Sequence, residues 1–262
     1  ENTVDFNTET GVYNLNANSL PGSLNGFTHK LKNECLAPIS STIVSQTNVL
    51  CNGENNGSAT VNASGGTGTL SYSWSPGGGN TNTATGLVAG TYTCTITDVN
   101  LCSSTQTVTV TQPTAVNVSS LSQTDVSCNG ESNGTAAINA PTGGAGGYLY
   151  NWTPGNPAGD GTTSVTELTA GTWTCTVTDV NGCTGIQDFT ITEPTALSVS
   201  ALAQTNISCN GGSNGTAAIN TPTGGVGGYI YNWTPGNPSG DGTTSVTGLT
   251  AGTWICTVTD EN

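Results

Sequence analysis

Residues 170–183 read AGTWTCTVTDVNGC, and the period of that stretch is two. Trp173, Cys175 and Val177 alternate with Thr174, Thr176 and Thr178, the spacing that sends successive side chains of a β-strand to opposite faces. Threonine suits the exposed face because its β-branched side chain fits the pleated backbone. AGT forms a corner before the strand, and DVNG forms a turn after it, since Asp, Asn and Gly accept the backbone angles that reverse a chain. The stretch recurs at 89–102 as AGTYTCTITDVNLC and at 251–262 as AGTWICTVTDEN.

Outward from that strand, the rest of the repeat has the same period. Ala136, Ile138 and Ala140 alternate with Ala137 and Asn139. Tyr148, Tyr150 and Trp152 alternate with Leu149 and Asn151, and Phe189 and Ile191 alternate with Thr190 and Thr192. Gly/Asn/Pro clusters separate these runs: CNGESNG (128–134), PTGGAGG (141–147) and TPGNPAGDG (153–161). QTNVLCN (46–52), QTDVSCN (123–129) and QTNISCN (204–210) open three copies, with Cys51, Cys128 and Cys209 spaced 77 and 81 residues apart. Residues 124–181 and 205–262 agree at 48 of 58 positions. The repeats are placed at 39–113, 114–194 and 195–262, the first two closed by Pro113 and Pro194. Residues 1–38, with both lysines, the histidine and Cys35, do not fit the repeat and read as the end of a different domain or a linker.

About seven short strands in roughly 80 residues, with no helical period, indicate an antiparallel β-sandwich of immunoglobulin-like or PKD-like type. Tyr92, Trp173 and Trp254 sit two residues before Cys94, Cys175 and Cys256, as the corner aromatic of an immunoglobulin domain sits before its second cysteine. The strands ending in Trp74, Trp152 and Trp233 take the place of the Trp-bearing third strand. The final strands are expected at 107–111 and 188–192. The expected architecture is all-β: tandem sandwiches arranged as a filament.

Composition narrows what such an array does. With two Lys, no Arg and a net charge of −14, neutralisation of nucleic-acid phosphates and attraction to an anionic membrane are both excluded. No apolar run approaches the ~20 residues that span a bilayer. Nine Cys and no Met point to an oxidising, extracytoplasmic setting. Glu1 to Asp5 has neither a basic n-region nor an apolar h-region, so the expectation is a mature or excerpted segment of an exported protein. One His and no recurring titratable cluster leave no equipment for catalysis or for holding a cofactor, so the expectation is that the protein is not an enzyme.

The candidate site residues each have a structural reading. Trp74, Trp152 and Trp233, beside Tyr72, Tyr150 and Tyr231, are expected to fill the cores with Tyr92, Trp173 and Trp254; stacking on sugar rings is the alternative. Asp160 and Asp241 in GNPxGDG are weak Ca²⁺ candidates, with Asp98, Asp179 and Asp260 behind them. None has the spacing of a known calcium loop, so turn formation is the expectation and no metal is assigned. A threonine ice-binding array is set aside because a twisted sandwich offers no long flat lattice. His29 beside Lys30 reads as solvated, and the sequons at Asn133 and Asn151 are those expected in so Asn/Thr-rich a chain.

The pattern VxCNGxxNG, Y/N-x-W, LxAGT-aromatic-x-C-TxTD-x-N, Cys and a closing TVTQP or TITEP resembles the SprB-type repeats of very long surface adhesins in gliding Bacteroidetes, over residues 39–262. The resemblance implies export by the type IX secretion system and a place in an outer-membrane-associated surface filament that contacts the substratum. The chain departs from the commonest form at Cys94, Cys175 and Cys256, where the family often has an aliphatic residue.

Three cysteines per repeat cannot all pair internally. An early–middle bond within each repeat, on the immunoglobulin pattern, leaves Cys102 and Cys183 over. An early–late bond within each repeat is what two-Cys family members imply, and it is favoured, with Cys94, Cys175 and Cys256 as buried thiols. It meets an objection: early and late cysteines should lie at opposite ends of a simple sandwich. A bond from one repeat's early Cys to the next repeat's late Cys removes the objection and staples the array, with Cys35 and Cys102 as the first staple. Candidates for bonding are therefore Cys35, Cys51, Cys102, Cys128, Cys183 and Cys209.

The third repeat stops inside its hairpin turn, and the counterpart of Cys183 falls two residues past Asn262. The expectation is that the natural polypeptide continues; a strand lent by another molecule is the alternative. The functional expectation is a stalk segment of a gliding or attachment adhesin, with neighbouring repeats as partners and polysaccharide or substratum contacted elsewhere. The alternatives are a glycan-binding array and a subunit that self-assembles by strand exchange.

Overall fold

The computed structural model describes Cys35 and residues 37–262, and among them every regular element is a β-strand. His29, Lys30 and nearly all of the segment assigned to a preceding domain lie outside the described residues. The first sandwich is built from β1 (Ile39–Thr47), β2 (Gly57–Gly65), β3 (Ser71–Ser75), β4 (Thr83–Leu87), β5 (Gly90–Thr97) and β6 (Ser103–Val110). One sheet runs β1-β2-β4 and the other β3-β5-β6, with all pairs antiparallel.

The second sandwich repeats the plan with β7 (Ser120–Thr124), β8 (Gly134–Ile138), β9 (Leu149–Thr153), β10 (Ser164–Leu168), β11 (Gly171–Thr178) and β12 (Thr184–Ile191). Its sheets are β7-β8-β10 and β9-β11-β12. The third has β13 (Ala201–Thr205), β14 (Gly215–Ile219), β15 (Ile230–Thr234), β16 (Ser245–Leu249) and β17 (Ile255–Thr259), in sheets β13-β14-β16 and β15-β17.

This is the immunoglobulin strand order A-B-E against C-F-G, without strand D. The first two sandwiches therefore have six strands each, not about seven. Residues 154–163 read PGNPAGDGTT, where two prolines lack the N–H a ladder needs. Only a single bridge, Ala158 to Thr166, remains where strand D would pair with β10. The last strands begin earlier than the alternation suggests, at Ser103 and Thr184. Ala140 lies past the end of β8 and is exposed.

The apolar alternation does face inward. Trp152, Val165, Leu168, Cys175, Val177, Phe189 and Ile191 form one buried cluster drawn from both sheets of the second sandwich. Trp74, Tyr92, Cys94 and Ile96 do the same in the first. Trp74, Trp152 and Trp233 are buried, and each indole N–H donates to a backbone carbonyl, Thr81, Thr162 and Thr243 respectively, at 2.9 Å. Burying an indole this way adds the largest apolar area in the chain without stranding its donor. The corner aromatics bond four residues upstream: Tyr92 Oη to Val88 O, Trp173 Nε1 to Thr169 O and Trp254 Nε1 to Thr250 O.

The third sandwich has a smaller buried core, Ile219, Trp233, Val246 and Leu249. Here β17 pairs with β15 alone. Trp254, Cys256 and Val258 are therefore only half-buried, whereas Trp173, Cys175 and Val177 are covered by β12 along a full ladder. A 470 Å³ cavity lies against Ala217, Ile219, Trp233, Trp254 and Cys256.

Candidate functional site: the disulfides between sandwiches

The early cysteines of the first two sandwiches, Cys51 and Cys128, sit in turns fastened to the far end of their own sandwich. Val49 N donates to Thr111 O, Gly53 N to Gln112 Oε1, and Asn52 Nδ2 to Pro113 O. The second sandwich repeats this with Val126 N to Thr192 O, Gly130 N to Glu193 Oε2 and Asn129 Nδ2 to Pro194 O. Cys51 and Cys128 are thereby held next to the point where the chain enters the following sandwich.

Each late cysteine sits at the near end, in the hairpin between β5 and β6 or β11 and β12. A buried aspartate organises that hairpin. Asp179 Oδ1 accepts from Asn181 N and Cys183 N, both at 2.9 Å, and Oδ2 accepts from Ala145 N at 2.7 Å. Asp98 repeats the pattern with Asn100 N, Cys102 N and Thr67 N. The bond from Thr67 N, opposed in part by burial and aided by those from Cys102 and Asn100, holds the Asp98 carboxyl below its usual range. For Asp179 the bond from Ala145 N is the largest cause of the same downward shift. The backbone closes tightly here: at Gly144, with φ +57°, a Cβ would stand 2.5 Å from the Asp179 carboxylate. Gly144 N donates to Thr114 O, which ties this end to the start of the sandwich.

The two disulfides join a near end to the element before it. Cys35 is bonded to Cys102 with Cα atoms 5.6 Å apart, and Cys51 to Cys183 with Cα atoms 5.4 Å apart, both in the ordinary range. Cys51 belongs to the first sandwich and Cys183 to the second. The favoured early–late bond within a repeat is not formed, and neither is the early–middle bond. The physical reason is the one just given: early and late cysteines of one sandwich are fixed at opposite ends, and the middle cysteines face the core.

Cys94 and Cys175 are buried free thiols, and Cys256 is a half-buried one. Burial pushes the Cys175 thiol up to about 11, with the Asp160 charge adding to it. Cys94 and Cys256 shift upward mainly for the same reason. Cys128 is free and half-buried, and Cys209 is free and exposed.

Asp160 and Asp241 do not gather with other carboxylates. Asp160 Oδ1 accepts from Trp152 N and Gly161 N, and Asp241 Oδ1 from Trp233 N and Gly242 N, so each fastens its Gly-rich loop to the Trp-bearing strand. Among the described residues no group of three His, Cys, Asp or Glu side chains could hold a metal ion. Asp98 and Asp179 take the turn-forming place expected of them in the hairpin; what the sequence reading lacked is the acceptor pattern, whose signal is the repeated D-x-N-x-C, an Asp able to accept from backbone N–H groups two and four residues ahead.

The SprB repeat family matches the chain three times, at residues 43–79, 120–157 and 201–238. These are SprB repeats. Each matched stretch runs from the first strand through the early cysteine and the Trp-bearing strand; the hairpin with the late cysteine lies outside it. No curated protein matches the chain in sequence. Among solved structures, the SprB array is similar to three N-terminal domains of the bacteriophage RB49 Highly Immunogenic Outer Capsid protein, at 16% identity over 75% of this chain and 74% of that one, TM-score 0.33. It is also similar to extracellular domains 3–5 of Drosophila OTK, at 16% identity over 58% and 61%, TM-score 0.30. The N-terminal eight Ig domains of Down Syndrome Cell Adhesion Molecule isoform 1.30.30 align at 13% identity over 83% and 36%, TM-score 0.39.

Proposed function

We propose that this segment is a non-catalytic stalk in a long cell-surface adhesin filament, serving attachment and gliding motility after type IX export, with repeats at 39–113, 114–194 and 195–262. The observation that carries the reading is the Cys51–Cys183 bond, which crosses from one sandwich to the next and suits a part that transmits tension rather than one that closes on a ligand. The identity of the family supports the surface setting. Two further features agree. The indole N–H groups are spent on backbone carbonyls, and Trp74, Trp152 and Trp233 are in the cores rather than at loop tips, which removes the feature that favoured a glycan-binding array. A strongly acidic surface, net −14, limits association between filaments.

Antibodies raised against this segment test the reading on whole cells. The expected result is decoration of filaments on the cell surface, together with no glycan-array binding by the purified segment. Signal confined to the cytoplasm, or saturable binding of a glycan by the segment alone, contradicts it.

A further inference from the structure

The sequence spans of the two disulfides overlap. Cys35–Cys102 and Cys51–Cys183 share residues 51–102, so neither is a simple loop hung on the chain. The geometry points to an interlocked disulfide ladder, in which every early cysteine is bonded to the late cysteine of the following sandwich and Cys128 is the near half of the next rung. The ladder stands on disulfide connectivity and would hold for an array of any use.

Two consequences follow from connectivity alone. A single backbone cut anywhere between Cys35 and Cys183 leaves one covalent molecule, because every peptide bond in that interval is spanned by at least one disulfide. Tension applied between those residues is carried by the 16 residues from Cys35 to Cys51 and then by the Cys51–Cys183 bond. Even with both sandwiches unfolded, the span cannot exceed about 60 Å, against roughly 500 Å for the unbridged chain at ~3.5 Å per residue.

The place beside Cys128 repeats the place beside Cys51. Asn181 Nδ2 donates to Leu50 O, and Asn262 Nδ2 donates to Ser127 O at 2.8 Å; Leu50 and Ser127 each precede the early cysteine. Equivalent cavities of 250 and 330 Å³ lie at the two junctions, lined respectively by Cys51, Asn52 and Thr114 and by Cys128, Asn129 and Thr195. In the first junction the partner thiol comes from Cys183, two residues after Asn181. A thiol two residues after Asn262 is therefore positioned for Cys128. The bond forms by exchange with a small-molecule disulfide: the Cys128 thiolate attacks it and expels one thiol, and the incoming cysteine thiolate then displaces the second.

Limited digestion with a glutamate-specific protease tests the overlap. Cuts after Glu54, Glu131 or Glu167 fall inside the spanned interval, and a cut after Glu193 falls outside it. On a denaturing non-reducing gel, chains cut once inside are expected to run as one species that separates only with reductant, while the Glu193 cut separates in both. Free fragments ending at Glu131 without reductant would overturn the ladder. The next rung is tested by extending the chain with Gly-Cys after Asn262 and oxidising with glutathione disulfide. The chain holds five free cysteines; the extended chain is expected to show four, with the added cysteine mapped to Cys128. Six thiols, or a bond to Cys209 instead, overturns the assignment.

Discussion

Asn181 donates its side-chain amide to the backbone carbonyl of Leu50, at 3.3 Å, across the boundary between two sandwiches. The contact lies one residue from Cys51 and two from Cys183, so the disulfide and a hydrogen bond share one small junction. Because these bonds join separate cores, they couple the unfolding of one to the other.

Cys183→Ser removes that coupling while leaving both cores unchanged. A crosslink spanning 132 residues is worth about 2–4 kcal/mol, mostly by restricting the unfolded chain. Calorimetry of the parent should show the first two sandwiches melting together. The variant should show them melting separately and at lower temperature; an unchanged thermogram contradicts the coupling.

The hairpin aspartates make the junction acid-sensitive. The folded carboxyls of Asp98 and Asp179 titrate below the ordinary value, near 3.9 for an unfolded aspartate. The unfolded state therefore takes up protons first as pH falls. The stability they give is fully present above about pH 4 and is lost as pH drops through their lower folded values. Amide exchange at Asn181, Cys183 and Ala145 should be steady in its protection from pH 7 to about 4 and weaken below. Asp179→Asn should weaken that dependence in the second sandwich only, where Asp125, held low by the bond from Thr192 N, still contributes; an unchanged acid transition there refutes it.

Comparison of the repeats exposes two strained positions. The bulge preceding the AGT corner has Gly86 at φ 68° and Gly248 at φ 73°, but Glu167 at φ 61° in the second sandwich. The hairpin has Gly182 at φ 85°, but Leu101 at φ 65° in the first. Both residues are exposed, so no buried contact is lost on replacement. A left-handed conformation costs a non-glycine residue about 1–2 kcal/mol, a gain partly offset on replacement because the freer unfolded glycine loses more backbone entropy on folding. Glu167→Gly and Leu101→Gly should each stabilise their own sandwich by about 0.5–1 kcal/mol, read from denaturant midpoints.

Thiol chemistry separates the five free cysteines. Alkylation of the native protein at pH 8 should modify exposed Cys209 first and Cys128 next. Cys175, wholly buried and pushed up to about 11, should react only on unfolding. Rapid native labelling of Cys175 would place it outside the core.

The strands were legible because their causes are local. Trp173, Cys175 and Val177 at alternate positions need nothing beyond β geometry to face one way, and the core aromatics follow from it. The absent strand D was less legible, since PGNPAGDGTT reads equally as a turn beside a strand and as the loop that replaces one. The disulfide partners depended on knowledge no single repeat contains: which end of one sandwich meets which end of the next. Cys51 meets Cys183 only because Asn52 and Gly53 are tied to 112–113 while Asp179 holds its hairpin beside 144–145. The Asp160 and Asp241 loops read as turns, with Ca²⁺ only a weak candidate, and the partners that fix them, the backbone N–H groups of Trp152 and Trp233, lie on another strand that the loop sequence does not name.

The central claim is that covalent bonds run from sandwich to sandwich. It is tested most directly by non-reducing peptide mapping of the purified chain, with free thiols blocked before digestion. The expected map contains the peptide of Cys51 joined to that of Cys183 and the peptide of Cys35 joined to that of Cys102, with Cys94 and Cys175 recovered as blocked thiols. A peptide joining Cys51 to Cys102 or to Cys94 would contradict the account.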